Sequence, residues 1–337
     1  MIRFNIPTIG RKDLESVLYC MIKDDLTPGE RLKSFSSLLK ARLGLSGVTV
    51  LNNYFAPFEI ALSLIGAGSG DEVILSSYSR MSLLKALQRQ GLKPVLVDPD
   101  EDTLLPSVEA VRKKITGRTK CIVLSQLFGI PHDLSVYKEL EIPLIEDLDG
   151  SLGSSVNDTP AGGFGDFVTL SFTDDSIITT GTGGMLGSGN RSAGGQVKEA
   201  VPDEQLMSDF NASLGISQLV RLDENLQKRS EIGKYYDSAV MEGGASFIGR
   251  AAGQALCYSS YAVRTKTSFE ECGKFFKNIG IPVRRGIERP LHQELGLNIR
   301  EFGCTERLYH EIIALPIYPG IKKDDIERTA KGIRTIL

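Results

Sequence analysis

Three arginines and a histidine crowd one short stretch of this 337-residue chain: Arg284, Arg285, Arg289 and His292, within VRRGIERPLHQ (283–293). Arginine forks match the paired oxygens of phosphate, so the stretch suits a diphosphate, unless it is simply a solvated basic face. Glycine offers a second kind of chemistry. The 35 glycines cluster in GAGSGD (66–71), AGGFGD (161–166), GTGGMLGSG (181–189) and GGQ (194–196). The first cluster reads as a helix C-cap and turn before a strand. The run at 181–189 would let a backbone approach a ligand closely, or would make an ordinary tight turn. Neither a P-loop nor a dinucleotide fingerprint is present, because no G-x-x-x-x-G-K-[ST] exists and no G-x-G-x-x-G joins the first strand to its helix. An oxidoreductase on a doubly wound sheet is disfavoured for the same reason. Cys20, Cys121, Cys257, Cys272 and Cys304 are odd in number, scattered and without a C-x-x-C pair; the histidines are only His132, His292 and His310. No disulfide framework and no metal site are expected.

These residues need a scaffold, and the first half of the chain describes one. VTVLNN (48–53), EVILS (72–76), KPVLVD (93–98), KCIVLS (120–125) and PLIED (143–147) read as strands, alternating with helical segments at 55–66, 79–91 and 106–115. Strands that alternate with helices build a mostly parallel sheet, and continuous apolar runs suit strands covered on both faces. FVTLSF (167–172) and GGMLGS (183–188) add two strands. A long amphipathic helix is expected from about 203 to 237, with Leu214, Ile216, Leu219 and Leu222 on its buried stripe. It leads to a second unit with strands at 258–265 and 281–285, a helix at 267–279 and a last helix from about Lys323. The division reads as a large domain over 1–225 and a small C-terminal domain over 226–337. Length, at about 150 residues per domain, agrees with two.

Composition narrows the function. The chain is 41% hydrophobic and 24% charged, with a formal net charge of −3, which is ordinary for a folded soluble protein. This near-balance gives no drive toward nucleic acid or anionic lipid. No apolar run reaches the roughly 18 residues of a membrane span, and the first residues lack the apolar core of a signal peptide. A cytoplasmic protein is expected, with neither nucleic acid nor membrane as a partner.

Taken in order, several stretches resemble the DegT/DnrJ/StrS family of sugar aminotransferases, which use pyridoxal phosphate. They are IPTIGRKDLESVL, LTPGERLKSFSSLLKARLGL, GDEVILSSYS, LKPVLVDPDEDTL, VLSQLFGIPHDLSVY, IPLIEDLDGSLGS, GGFGDFVTLSF, TTGTGGML, MSDFNASLGISQLVRLDE and LPIYPGIKKDDIERT. The resemblance runs over most of the chain. It implies an α/β fold: a large domain with a mixed, mostly parallel seven-stranded sheet flanked by helices, and a smaller C-terminal α/β domain. It also implies a homodimer with active sites at the subunit interface.

In such enzymes the cofactor carries the electron sink and the protein supplies binding, orientation and electrostatics. By resemblance, Asp147 in LIEDLDG stands where a carboxylate keeps the pyridine nitrogen protonated; taken alone, it is a strand-end Asp that could cap a turn. Ser171 matches a phosphate-contacting serine. The family's S-F-x-x-x-K-x-x-T-T-G-E-G-G places Ser176 at the lysine and Thr182 at the glutamate. No lysine lies between Lys138 and Lys198. The Gly-Thr pair that cradles the phosphate corresponds to Tyr54 and Phe55, which put bulk at that point. The stacking aromatic corresponds to Arg80, whose charge would oppose a protonated pyridine. Gly150 replaces a glutamine, and Glu204 falls near an asparagine donated across the dimer. Tyr54, Phe55 and Arg80 could instead make a surface that stacks rings and pairs anions, although aromatic residues at a helix start often belong to the core.

Two readings follow. One is a catalytically degenerate homologue that binds a ligand or partner in nucleotide-sugar or cell-surface polysaccharide biosynthesis, with no confident catalytic residue. The other is an active transaminase or dehydratase that holds pyridoxal or pyridoxamine phosphate non-covalently. On both readings no covalent cofactor is expected. Arg284, Arg285 and His292 are the candidate substrate contacts, with a nucleotide sugar as the candidate ligand.

Overall fold

The computed structural model describes residues 2–24, 26–148, 150–243 and 245–336. The chain opens with two helices, α1 (Arg11–Ile22) and α2 (Glu30–Leu43). Helix α2 buries Leu32, Phe35, Leu39 and Leu43, an i, i+3, i+4 stripe, and stops at Gly44 in the left-handed conformation. There follow β1 (Gly47–Leu51), α3 (Ala56–Leu64), β2 (Glu72–Ser76), α4 (Met81–Arg89), β3 (Lys93–Val97), α5 (Val108–Arg112), β4 (Thr119–Ser125) and β5 (Leu144–Asp147). A small pair, β6 (Ser155–Val156) and β7 (Thr159–Pro160), precedes β8 (Phe167–Ser171) and β9 (Gly184–Ser188).

The main sheet has seven strands in the order β1-β9-β8-β5-β4-β2-β3. Strands β8, β5, β4, β2 and β3 run parallel, and β9 is antiparallel to both of its neighbours. The expected mostly parallel, helix-flanked sheet is therefore present. Two apolar layers cover it: Leu62, Leu75, Leu84 and Val123 on one side, Phe35, Val50, Leu170 and Phe172 on the other.

Past the sheet come α6 (Arg191–Glu199), α7 (Asp209–Val220) and α8 (Leu222–Glu242). The long helix expected over 203–237 is broken in two. Ser208 caps α7 by accepting from the Asn211 amide, so the preceding residues are free to lie along β1, where Met207 N–H donates to Val50 O at 3.1 Å. Arg221 separates α7 from α8, its guanidinium drawn away to the Thr8 carbonyl and the Asp13 carboxylate. The GGQ cluster is helical, within α6. Gly194 lies so close to Gly47 that a β-carbon on Gly47 would sit 2.1 Å from Gly194 O. Glycine here allows a helix to press on the edge strand. Gly183, at φ +138, likewise lies under Met207 and Leu51, so this glycine of the 181–189 run serves packing.

The remainder comprises β10 (Gln254–Ala255), β11 (Tyr261–Arg264), α9 (Phe269–Asn278), β12 (Arg284–Arg285), α10 (Leu291–Glu294), α11 (Gly303–Glu311), β13 (Ile312–Leu315) and α12 (Lys323–Ile336). Antiparallel β11-β13-β12 form a second sheet, with Tyr236, Phe276, Ile313 and Ile333 in its core. Two parts of this C-terminal half return to the first: β10 pairs with β6, and Leu291 of α10 joins the core beside α4.

Candidate functional site

The register of the parallel strands sets out the site. Asp147, at the end of β5, lies opposite Ser125 on β4 and Thr169 on β8. Parallel strands place their C-terminal ends at one edge, where ligands of open α/β sheets bind. Asp147 is 1% exposed. Its carboxylate accepts from Ser125 Oγ at 2.9 Å and Thr169 Oγ1 at 3.3 Å. Its main partner is Arg80, the residue just before α4. Arg80 Nη2 donates to Oδ1 at 2.5 Å and Nε to Oδ2 at 3.2 Å, so both oxygens meet the guanidinium.

Above this pair, the recess lined by Tyr54, Phe55, Arg80, Asp147, Thr169 and Ser171 has a volume of about 10 Å³, space for about one water. Tyr54 and Phe55 form the turn before α3, their ring centroids 4.1 Å apart. Asn53 Oδ1 accepts the amides of Phe55 at 3.1 Å and Ala56 at 2.8 Å, so donors at the start of α3 already have an acceptor within the chain.

A far larger cavity, about 820 Å³, opens beside the recess and shares Tyr54, Arg80 and Ser171 with it. Arg284 and Arg285 stand on its far wall, both on β12. Arg285 is held between the rings of Phe269 and Tyr309, at 4.2 and 4.5 Å, and donates to Glu270 at 2.7 Å and to the Tyr309 carbonyl at 3.0 Å. Arg284 lies 4.2 Å from the Phe4 ring centroid and pairs with Asp175 at 3.0 Å. Phe128 also lines the cavity, in a strained left-handed conformation at φ +61. On another wall are Ser259 and Ser260. Their segment is anchored by Arg229, a buried guanidinium that donates to the carbonyls of Tyr258, Ser259 and Ile317; burial lowers it to about 10. Among the described residues, no lysine lines the recess or the cavity.

Ser176 reaches this cavity, but its hydroxyl folds back on its own turn, accepting the Thr173 amide at 3.0 Å and lying 3.2 Å from Thr173 Oγ1. Thr182 lines neither cavity; it is exposed in the turn before β9 and its carbonyl accepts from Thr180 Oγ1. His292 does not join Arg284 and Arg285. The chain turns inward at Pro290, and α10 buries His292 completely against Phe302. Its Nδ1 lies 2.7 Å from Ser77 Oγ and its Nε2 2.8 Å from Glu306 Oε1, so it braces the interior. Arg289 points elsewhere, to Glu294. Phe4, Asn53, Ser125, Thr169, Phe269 and Tyr309 were not anticipated. Thr169 was within reach, because it shares the face of Ser171 two residues on, and Asn53 precedes a helix start as a capping residue should.

The family profile described as DegT/DnrJ/EryC1/StrS aminotransferase matches residues 7–198 and 187–334. The chain belongs to that family. Its relatives include a dTDP-4-dehydro-2,3,6-trideoxy-D-glucose 4-aminotransferase from Saccharopolyspora spinosa, 27% identical over 70% of both chains. The spore coat polysaccharide biosynthesis protein SpsC of Bacillus subtilis is 25% identical over 99% of this chain and 96% of its own. A Streptococcus pneumoniae protein solved in pyridoxal phosphate and pyridoxamine phosphate forms has the same fold, with a TM-score of 0.93 at 22% identity over 99% of this chain; it covers 98% of its own length in the first form and 97% in the second.

Pyridoxal phosphate is the cofactor of this family, yet the residues of this chain do not fit it. By the family resemblance the ring would lie beside Asp147, where about 10 Å³ is far too little. It would pair with that carboxylate, and Arg80 engages both oxygens. The phosphate would take open donors at α3, and Asn53 accepts two of them.

The pair itself is testable. Breaking a buried ion pair from one side costs about 3–5 kcal/mol. Arg80 is 24% exposed, so Arg80→Met is expected to destabilise by less, about 2–4 kcal/mol. The Arg80→Met/Asp147→Leu double variant should cost less than the two single changes added together, by at least about 1 kcal/mol. Urea unfolding of the four proteins reads this coupling; additive costs would contradict the pairing.

Proposed function

We propose that this sugar aminotransferase homologue is catalytically degenerate and acts by binding, in nucleotide-sugar or cell-surface polysaccharide biosynthesis. The observation that carries the reading is the lack, among the described residues, of any lysine on the walls of the recess or the cavity, with Ser176 at the position that the family resemblance gives to lysine. An amine condenses with an aldehyde to an imine; a hydroxyl does not, and among the described residues no basic side chain is bonded to Ser176 that would let it relay a proton. What the cavity retains is recognition. Arg284 and Arg285 offer guanidinium forks for a diphosphate, and Phe4, Tyr54, Phe128 and Tyr309 offer ring faces and apolar area for a base or sugar. A volume of about 820 Å³ is in the range of small-molecule sites.

A second reading keeps the chemistry, with a pyridoxal or pyridoxamine phosphate held non-covalently. Its support is the adjacency of Asp147 and Ser171 on one recess. The two readings separate in solution. Purified protein mixed with pyridoxal phosphate should show no imine absorbance and no mass increase after borohydride reduction. Calorimetry with UDP-, GDP- and dTDP-linked hexoses should find saturable binding, weakened at least ~10-fold by Arg285→Ala. An imine, or amino transfer to a keto-sugar nucleotide, would show the degenerate reading to be wrong. Saturable binding of pyridoxamine phosphate would favour the second.

The reading includes a cytoplasmic homodimer. Helix α1 supports the dimer by turning Leu14, Leu18, Tyr19, Met21 and Ile22 outward, each at least half exposed, a larger apolar face than a lone surface helix usually shows. Sedimentation equilibrium should return twice the chain mass, and a monomer at micromolar concentration would count against it.

A further inference from the structure

We infer that Arg80 is the residue that bars the cofactor from this cleft, by supplying from within the chain the positive charge that the buried carboxylate requires, and that replacing Ser176 with lysine would not by itself restore cofactor binding. The inference rests on the degenerate reading above but reaches further, since it ranks the obstacles and names the one that decides.

Several features oppose the cofactor, and they differ in how firmly they are held. Tyr54 is 40% exposed and sits on a loop, so it can swing outward. Asn53 is half-buried and holds the start of α3 by two neutral hydrogen bonds, which an incoming phosphate can replace. Ser176 lies in the larger cavity, and its hydroxyl is engaged only within its own turn. Arg80 is different. Its guanidinium meets both oxygens of a carboxylate that is itself 1% exposed, and it takes up the recess in doing so. Its backbone is anchored at the start of α4, whose Met81, Leu83, Leu84 and Leu87 are buried in the core. Tethered this way, the guanidinium is present at Asp147 at a high effective concentration, whereas a free cofactor must arrive from solution and lose its translational freedom. The carboxylate must have a cation once buried, and the intramolecular one has the advantage.

The consequence is an order of repair. In Ser176→Lys the new amine would have to condense with the aldehyde of added pyridoxal phosphate, forming the C=N bond and releasing water, while Asp147 is still engaged by Arg80. No imine is expected. Combined with Arg80→Gln, which removes the charge, or Arg80→Ala, which removes charge and volume, the same lysine should give an imine band, and borohydride should trap it as a secondary amine seen as a mass increase. Arg80→Lys with Ser176→Lys keeps a cation at the carboxylate and should stay dark. Each protein is first checked for a cooperative melt. If the double variants do not fold, calorimetry on the Arg80→Gln single variant decides: pyridoxamine phosphate should bind at least ~10-fold more tightly than to the unaltered protein. An imine in Ser176→Lys alone overturns the inference. So do folded double variants that both stay dark, or an Arg80→Gln protein with unchanged affinity. An imine in the unaltered protein is a separate result, and it removes the degenerate reading instead.

Discussion

A carboxylate taken out of water must be given hydrogen bonds and a compensating charge, and the rest of this cleft follows from how Asp147 meets that requirement. Two hydroxyls arrive by strand register, from β4 and β8. The charge arrives from Arg80, at the end of the loop that leads into α4. The cation at this point is thus supplied from within the chain. The recess is thereby filled, and the space left for a ligand shifts outward to the larger cavity, whose inner edge is Arg80 and whose outer wall is β12.

The surrounding structure is arranged so that this edge is stiff. The parallel strands inside the edge strand β3 are almost wholly buried, α4 is fixed by four leucine or methionine side chains, and His292 ties the Ser77 end of β2 to Glu306 of α11. Arg229 plays the equivalent part on the other side, holding the Ser259 segment through three carbonyls without a carboxylate partner among the described residues. By contrast, the arginines of the outer wall are partly exposed and pair with side chains at the rim, so a phosphate can exchange with their present partners at little cost.

The sheet was legible because its strands are continuous apolar runs, and runs of that kind are specific to strands buried on both sides. Helix α1 was not read as a helix, although Leu14, Leu18 and Ile22 recur at helical spacing; they face outward, and its buried positions are Asp13 and Cys20. Helix α6 was hidden by Gly194 and Gly195, which look like a turn until Gly47 is seen to press against the first of them. In the site, Asp147 and Ser171 were legible as strand-end polar groups, and Arg284 and Arg285 as an anion wall. His292 was misplaced because three arginines and a histidine in eleven residues read as one patch, whereas Pro290 turns the chain inward between them. The Arg80–Asp147 pair joins residues 67 positions apart, and no local pattern encodes it. Arg80 reads from sequence as a replacement for a stacking aromatic, with a charge that opposes a protonated pyridine; in the structure that charge is paired with Asp147.

The most direct test is a crystal structure of the unaltered protein grown with excess pyridoxal phosphate. The account predicts electron density for the Arg80 guanidinium within hydrogen-bond distance of both Asp147 oxygens, with no ring between Tyr54 and β5. Density for a pyridine ring with its nitrogen on Asp147, and Arg80 displaced from the carboxylate, would contradict it.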